Sequence, residues 1–477
     1  MAPPRSSVKK EKSAKDIEMA DAFPTVATSS TEPTVKRTAS TASLGINAVA
    51  DTDVHAISKR GRATKKAMNK LPSLPQETGK VFVFGNGDTG QLGLGEDMLD
   101  RKKPYPIKDL EDEGIVDVLA GGLHTVAITR EGKLWSWGCN DKCALGRSGE
   151  ENVPEVVGNL DTVRIVKVAC GDSITVALSD DGKVYSWGTY RSSEGDLGFN
   201  PQTSIQAVPT LLQALTKETV VDIVAGVDHA LALTSTGDVY GWGNGQQNQL
   251  GRRIIERRKI NGLNPERLGL KHIKLIGSGS YHSFAVDVKD TIFVWGLNNF
   301  RQSGLSDEEG GLDDIISTPT PISSLQGKGI VRQVAGGEHH SLVLFESGEV
   351  YAFGRADSSQ LGLPKQLLDQ PTPAAAPSSS MDVDGSSVST QHKRAVSTPT
   401  PIPNLPPVVA ISVGSNHNLA LTRDGDAYAW GFGETHALGN GEDKDEECPI
   451  KVTGQKLEGF TVLQVSAGGQ HSVLLAK

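Results

Sequence analysis

Through most of the chain, short runs of alternating apolar and polar residues are cut by turns that contain glycine. One complete set begins at Val116–Ala120, which alternates, and turns at Gly121-Gly122. Thr125–Thr129 is then apolar, Glu131-Gly132 turns again, and Lys133–Trp137 alternates once more. Alternation with period two predicts half-buried strands, and the Gly turns predict tight hairpins between them. Pro-flanked pieces such as Pro154–Val157 and Pro209–Leu212 supply a fourth strand per set.

The sets repeat. An aromatic-Gly pair recurs at Phe84, Trp137, Trp187, Trp242, Trp295, Phe353 and Trp430, at spacings of 53, 50, 55, 53, 58 and 77 residues. Thirteen residues before the last six of these stand His124, Ile174, His229, His282, His340 and His417. His471 opens a further copy that lacks its aromatic-Gly, whereas Lys80–Gly85 has an aromatic-Gly and no His half. The two ends complete one unit. Four short strands per ~50 residues, repeated with one unit split between the termini, predict an all-β, seven-bladed β-propeller whose last blade is closed by the N-terminal strand. The domain reading is a disordered basic tail over 1–78 and a propeller over 79–477, with a disordered Pro- and Ser-rich insertion at about 364–407.

Charge divides the chain the same way. The net charge of −9 conceals a tail with 13 Lys/Arg against 8 Asp/Glu and a body with 35 against 49. Within the tail, Lys59, Arg60, Arg62, Lys65 and Lys66 form a cluster suited to nuclear import or DNA phosphates, or simply to solvation. A second basic stretch, Ile254–Gly269, interrupts the unit of Trp242. No apolar run is long enough to span a membrane, and the N-terminus has no signal-peptide core. Four cysteines are too few for a disulfide framework.

Motifs for covalent chemistry are weak. Gly85–Gly90 matches G-x-G-x-x-G, but Gln91-Leu92-Gly93 follows where a helix would have to open, so the match belongs to the repeat. Cys139 and Cys143 lack two further ligands nearby, so neither metal nor cofactor is expected. The repeated histidines read first as turn ties, with use in binding as the alternative. Asp88, Asp172 and Asp228 occupy variable turn positions, as caps or as contacts.

The order A-G-G-x-H, hairpin, W-G, then eight residues from aromatic to Leu (Phe84 to Leu92, Trp137 to Leu145, Trp242 to Leu250) resembles the regulator of chromosome condensation repeat. Gly87–Pro104, Trp137–Arg147 and Val168–Gly198 further resemble the branch of that family that acts as the chromatin-bound guanine-nucleotide exchange factor for the GTPase Ran. In the third stretch Trp187 and Leu197 are ten residues apart, two more than usual. The resemblance implies that the extra residues form a β-wedge, here Tyr190, Arg191, Ser192, Ser193, Glu194, Gly195 and Asp196, inserted beside the GTPase's nucleotide. It implies GTPase-binding roles for Asp88, His124, Asp172, Asp228, Arg252, His340 and His471. It also implies a histone-facing loop at Arg257 and Arg258, and as partners Ran, histones H2A and H2B, nucleosomal DNA and importin, in the nucleus. Ile174 and Asn200 depart from the family pattern. The competing class is a propeller scaffold that binds another partner and exchanges nothing.

Overall fold

The computed structural model describes residues 66–368 and 395–477. Seven four-stranded antiparallel sheets follow one another along the chain. Blade 1 comprises Ile115–Ala120, His124–Thr129, Leu134–Gly138 and Glu155–Val156, and blade 2 Ile165–Cys170, Ile174–Ser179, Val184–Gly188 and Gln206–Leu211. Blades 3 to 6 repeat the plan, beginning at Val220, Ile273, Val331 and Val408. Blade 7 takes its inner strands, Val462–Ala467 and His471–Ala476, from the C-terminus and its outer strands, Lys80–Asn86 and Asp100–Pro106, from the N-terminus. The join is a regular antiparallel register, Lys80 opposite Ala476 through Gly85 opposite His471.

The repeat's fixed residues make the interfaces between blades. Trp137, Trp187, Trp242, Trp295 and Trp430 are fully buried. The Trp187 indole donates to Ala144 O of blade 1 at 2.8 Å, and a Cβ on Gly146 would stand 2.6 Å from the same indole nitrogen. Gly146 also has φ +68°, and Gly93, Gly251, Gly304, Gly362 and Gly439 seat the next blade's ring in the same way, whereas Gly198 of blade 2 does not touch Trp242.

The histidines form a second tie. His124 Nε2 meets Thr175 Oγ1 of the next blade at 2.9 Å, and that hydroxyl donates to Ala144 O at 2.8 Å. His229 to Ser283, His282 to Ser341, His340 to Asn418, His417 to Ser472 and His471 to Thr125 repeat the contact at 2.8–2.9 Å. Because each hydroxyl spends its one proton on a carbonyl, and Asn418 offers only its amide oxygen, the imidazole must be the Nε2–H donor in every link. The link His471 to Thr125 spans the chain ends.

Around one mouth of the central channel the backbone itself closes a circle. Gly122 N–H donates to Gly171 O, Asp172 to Val227, Val227 to Ser280, Ser280 to Gly337, Glu338 to Ser415, Ser415 to Gly468 and Gly469 to Gly121, at 2.9–3.3 Å. The small A-G-G turns let neighbouring blades approach this closely.

Two boundaries differ from the sequence expectation. The disordered tail was expected to reach residue 78, yet the stretch from Met68 lies on the propeller. Met68 N–H donates to Ser235 O at 2.7 Å, Asn69 Nδ2 to Ile273 O at 2.9 Å, and Leu74 is 5% exposed within the core. This strap crosses the second-to-third-strand turns of blades 3 and 2 before Glu77 pairs with Lys477 at 2.7 Å. It has no alternating pattern because its partners are turn carbonyls rather than a neighbouring strand. The insertion is also shorter than 364–407: Lys365–Leu368 is a helical turn and Ala395–Pro401 is the outer strand of blade 5. Residues 369–394, and Lys59, Arg60, Arg62 and Lys65 of the basic cluster, lie outside the described residues; Lys66 is described and exposed.

Candidate functional site: a hairpin beside an acidic channel mouth

The ten-residue interval after Trp187 folds as its own two-stranded hairpin, Tyr190–Ser192 paired with Gly195–Gly198 around Ser193-Glu194. It therefore runs two residues beyond the expected Tyr190–Asp196. It leaves blade 2 on the same face as the first-to-second-strand turns, opposite the strap. Its roots are apolar: Tyr190 is 1% exposed and Phe199 5%, both in the core that holds Trp187 and Trp242. A Cβ on Gly243 of blade 3 would lie 3.0 Å from the Tyr190 ring, so that glycine leaves room for it. Tyr190 is thus an anchor and cannot be the contact its place in the wedge implied. Arg191, Ser193, Glu194 and Asp196 are exposed.

The hairpin explains an irregularity in the repeat. It takes the place of the loop that elsewhere offers a carbonyl to the next blade, and at this interface the relay is missing from both sides. Ile174 stands for the histidine and Ala230 for the hydroxyl, and both are buried in one apolar cluster. An imidazole there would have no hydroxyl to receive its proton.

Acidic groups gather next to the hairpin. Asp228 Oδ1 accepts the Arg191 N–H at 2.6 Å, and burial together with Asp172 and Asp196 pushes its pKa up to about 7 against that hydrogen bond and the Arg191 charge. Asp172 is open to water but recessed among the mouth turns. This crowding, with Glu338, raises its pKa to about 6, and Arg191 draws it down. Burial raises the Tyr281 phenol, and Glu338, Asp172 and Asp228 add to the effect. Glu338 also faces His339 at 3.7 Å. Sequence reasoning missed Glu338 and Tyr281; each sits at the turn position of Asp172 and Asp228 in its own blade or one residue away, which was the available signal. Asp88 lies farther round the same face, in a groove of about 390 Å³ with Asp141, Glu150 and Glu151.

The other expected residues are placed differently. His124, His340 and His471 are fully buried in the relay, so no partner can touch them directly. Burial lowers their pKa values to about 4, 4 and 3, which keeps them neutral. Arg252 is held by its own loop, through Glu266 at 3.4 Å and Asn264 O at 3.2 Å. Arg257 and Arg258 are exposed on a 3₁₀ segment, Glu256–Leu263, that packs beside the hairpin, where Lys259 pairs with Glu194. The basic excursion and the wedge are neighbours, which their separation of about 65 residues concealed.

What the face offers is a projecting hairpin with an acidic surround, a shape for engaging a basic protein surface. Comparison with known proteins agrees with the architecture. The RCC1-like domain family matches residues 80–474. Protein pim1 of Schizosaccharomyces pombe is 37% identical over 86% of this chain and 76% of its own length. The guanine nucleotide exchange factor SRM1 of Saccharomyces cerevisiae is 35% identical over 82% and 86%, and the human regulator of chromosome condensation 34% over 87% and 94%. The crystal structure of Saccharomyces cerevisiae Prp20p, described with its binding to Gsp1p and histones, superposes with a TM-score of 0.77 at 36% identity, covering 85% of this chain and 93% of that one. Yeast RCC1 (Prp20) bound to Kap60 gives 0.78 at 34%, covering 90% and 96%. With this family match and these relatives over most of its length, the chain belongs to the RCC1-like family of seven-bladed propellers.

Proposed function

We propose that the protein is a guanine-nucleotide exchange factor for a Ran-type GTPase, working on chromatin in the nucleus. The observation that carries this reading is the hairpin Tyr190–Gly198, rooted in the core and projecting from an acidic face. It is supported by a relative that bears the exchange-factor name, SRM1, and by a similar structure described with its binding to Gsp1p and histones.

The physical logic is linkage. A GTPase grips its nucleotide through phosphate and Mg²⁺ contacts with a preformed loop. A partner that prefers the nucleotide-free conformation must, reciprocally, weaken nucleotide binding. In this reading the wedge tip supplies the preference, and Asp88, Asp172, Asp228 and Glu338 hold the basic rim of the GTPase. No bond is made or broken in the protein, and GTP loading follows from the nucleotide supply. The basic cluster Lys59–Lys66 would contact DNA phosphates or an importin, and Arg257 and Arg258 an acidic histone surface.

The test is release of a fluorescent GDP analogue from Ran. Acceleration is expected with the intact chain. Deleting Arg191–Asp196 while keeping the Tyr190 and Phe199 roots should abolish release and leave capture of the GTPase intact. Undiminished release by that variant would overturn the wedge assignment, and no acceleration by the intact chain would overturn the exchange reading.

A further inference from the structure

The hairpin is held from both sides by polar side chains that belong to other blades. On one flank Lys142, in the loop after the third strand of blade 1, pairs with Asp196 at 2.8 Å. On the other, Gln246 of blade 3 accepts the Ser193 N–H at 3.0 Å through Oε1, and its Nε2 lies 3.0 Å from Ser193 Oγ and 3.2 Å from Glu256. Lys259 joins Glu194 to Glu256. Asn244 Oδ1 fixes the Gln246 backbone at 2.9 Å.

These contacts fall on the solvent-exposed part of the hairpin, beyond its apolar roots. Tyr190 and Phe199 fix where the hairpin starts but not the angle at which its tip stands, because a two-stranded ribbon alone is a pliant element. A tip meant to displace a nucleotide gains from a fixed angle, since misplacement of a pressing group by about 1 Å is costly in rate. We propose that Lys142, Gln246 and Lys259, reaching from the two flanking blades, are positioning residues that set the angle of the wedge and so raise the rate of nucleotide release. The proposal rests on the exchange reading above. It assigns a role to three residues that do not face the GTPase through the acidic mouth.

The experiment measures release from Ran loaded with a fluorescent GDP analogue, at saturating and sub-saturating GTPase, for Lys142→Ala, Gln246→Ala and Lys259→Glu in the full chain. Single surface pairs and hydrogen bonds contribute modestly, so each variant should lower kcat about threefold to tenfold, with KM within about twofold of the parent. The conservative change Lys259→Arg, which keeps a cation between Glu194 and Glu256, should retain kcat within about twofold of the parent. Unchanged kcat in all three variants, or a loss in Lys259→Arg as large as in Lys259→Glu, overturns the proposal. A second measurement needs no GTPase. Hydrogen exchange at the Ser193 amide should quicken about fivefold in Gln246→Ala, while the core strands of blade 2 keep the parent rate. An unaltered Ser193 amide also overturns the proposal. If the parent chain itself releases no nucleotide, the exchange reading has failed, and the amide measurement then judges the cradle alone.

Discussion

Mild acid should unfold this propeller through its histidine relay. Six imidazoles are buried with one nitrogen used and no place for a second proton, and their folded pKa values lie at about 3 to 4 against an ordinary 6.5. Between those limits the unfolded chain binds more protons than the folded one, so stability is complete above pH 6.5 and falls as pH drops toward 4. From pH 7 to 5.5 each site contributes a loss of about 1.2 kcal/mol, roughly 7 kcal/mol for the six. Asp117 and Asp228 act in the opposite sense. Burial raises their folded pKa values to about 6 and 7, so they gain protons on folding over the same range and return part of the loss. The open carboxylate of Asp172 adds less. The net expectation is a drop of several kcal/mol, a large fraction of ordinary domain stability. Urea unfolding at 25 °C, repeated at pH 7.0, 6.0 and 5.5, reads it directly. A paired variant isolates one link: His124→Ile with Thr175→Ala copies the natural Ile174 and Ala230 pair, and leaves Ala144 O the Trp187 indole. That variant should lose about 1 kcal/mol less over the same interval. Stability that stays level or rises from pH 7.0 to 5.5 would refute the neutral relay.

Other outcomes follow from the packing. Trp187→Ala empties the seat at Gly146 and should destabilise the fold by about 3 to 5 kcal/mol in urea unfolding, with broad loss of binding. Leu74→Ala on the strap should destabilise by about 2 to 3 kcal/mol, since its side chain is buried in the core of blades 1 to 3; an effect below about 0.5 kcal/mol would show the strap to be unanchored. Asp228→Asn keeps an acceptor for the Arg191 N–H and should leave hairpin amide protection in place, while weakening GTPase capture more at low salt than at high salt.

The ring was legible in the sequence because strands alternate and because six units keep one phase to the aromatic from a position that is His in five of them and Ile174 in the other. The split blade was legible for the same reason. The hairpin showed as two extra residues, and the chain there folds as a two-stranded ribbon that runs to Gly198 rather than Asp196. Other features were hidden for physical reasons. The phase marked the histidines as repeated but carried no information on which way they face. Burial removes His124, His340 and His471 from any docking surface. The strap is held through main-chain carbonyls of turns, which leave no side-chain signature. Lys142 and Gln246 each lie more than 50 residues from the wedge groups they hold, and look like any exposed loop residues until the blades are set side by side.

The circle of backbone hydrogen bonds at the channel mouth has a mechanical consequence. Every link runs the same way round, donor on one blade and acceptor on the next, and the chain ends fall in blade 7 without interrupting it. A load applied at the hairpin therefore meets a hoop rather than a cantilever. Blade 2 cannot tilt inward without compressing both neighbours, and the neighbours are braced in turn by the remaining four. Reaction force is shared around the circumference, so a hairpin rooted in one blade has the stiffness of all seven behind it. The hairpin's mount is a closed ring sealed by Lys80–Gly85 against His471–Ala476.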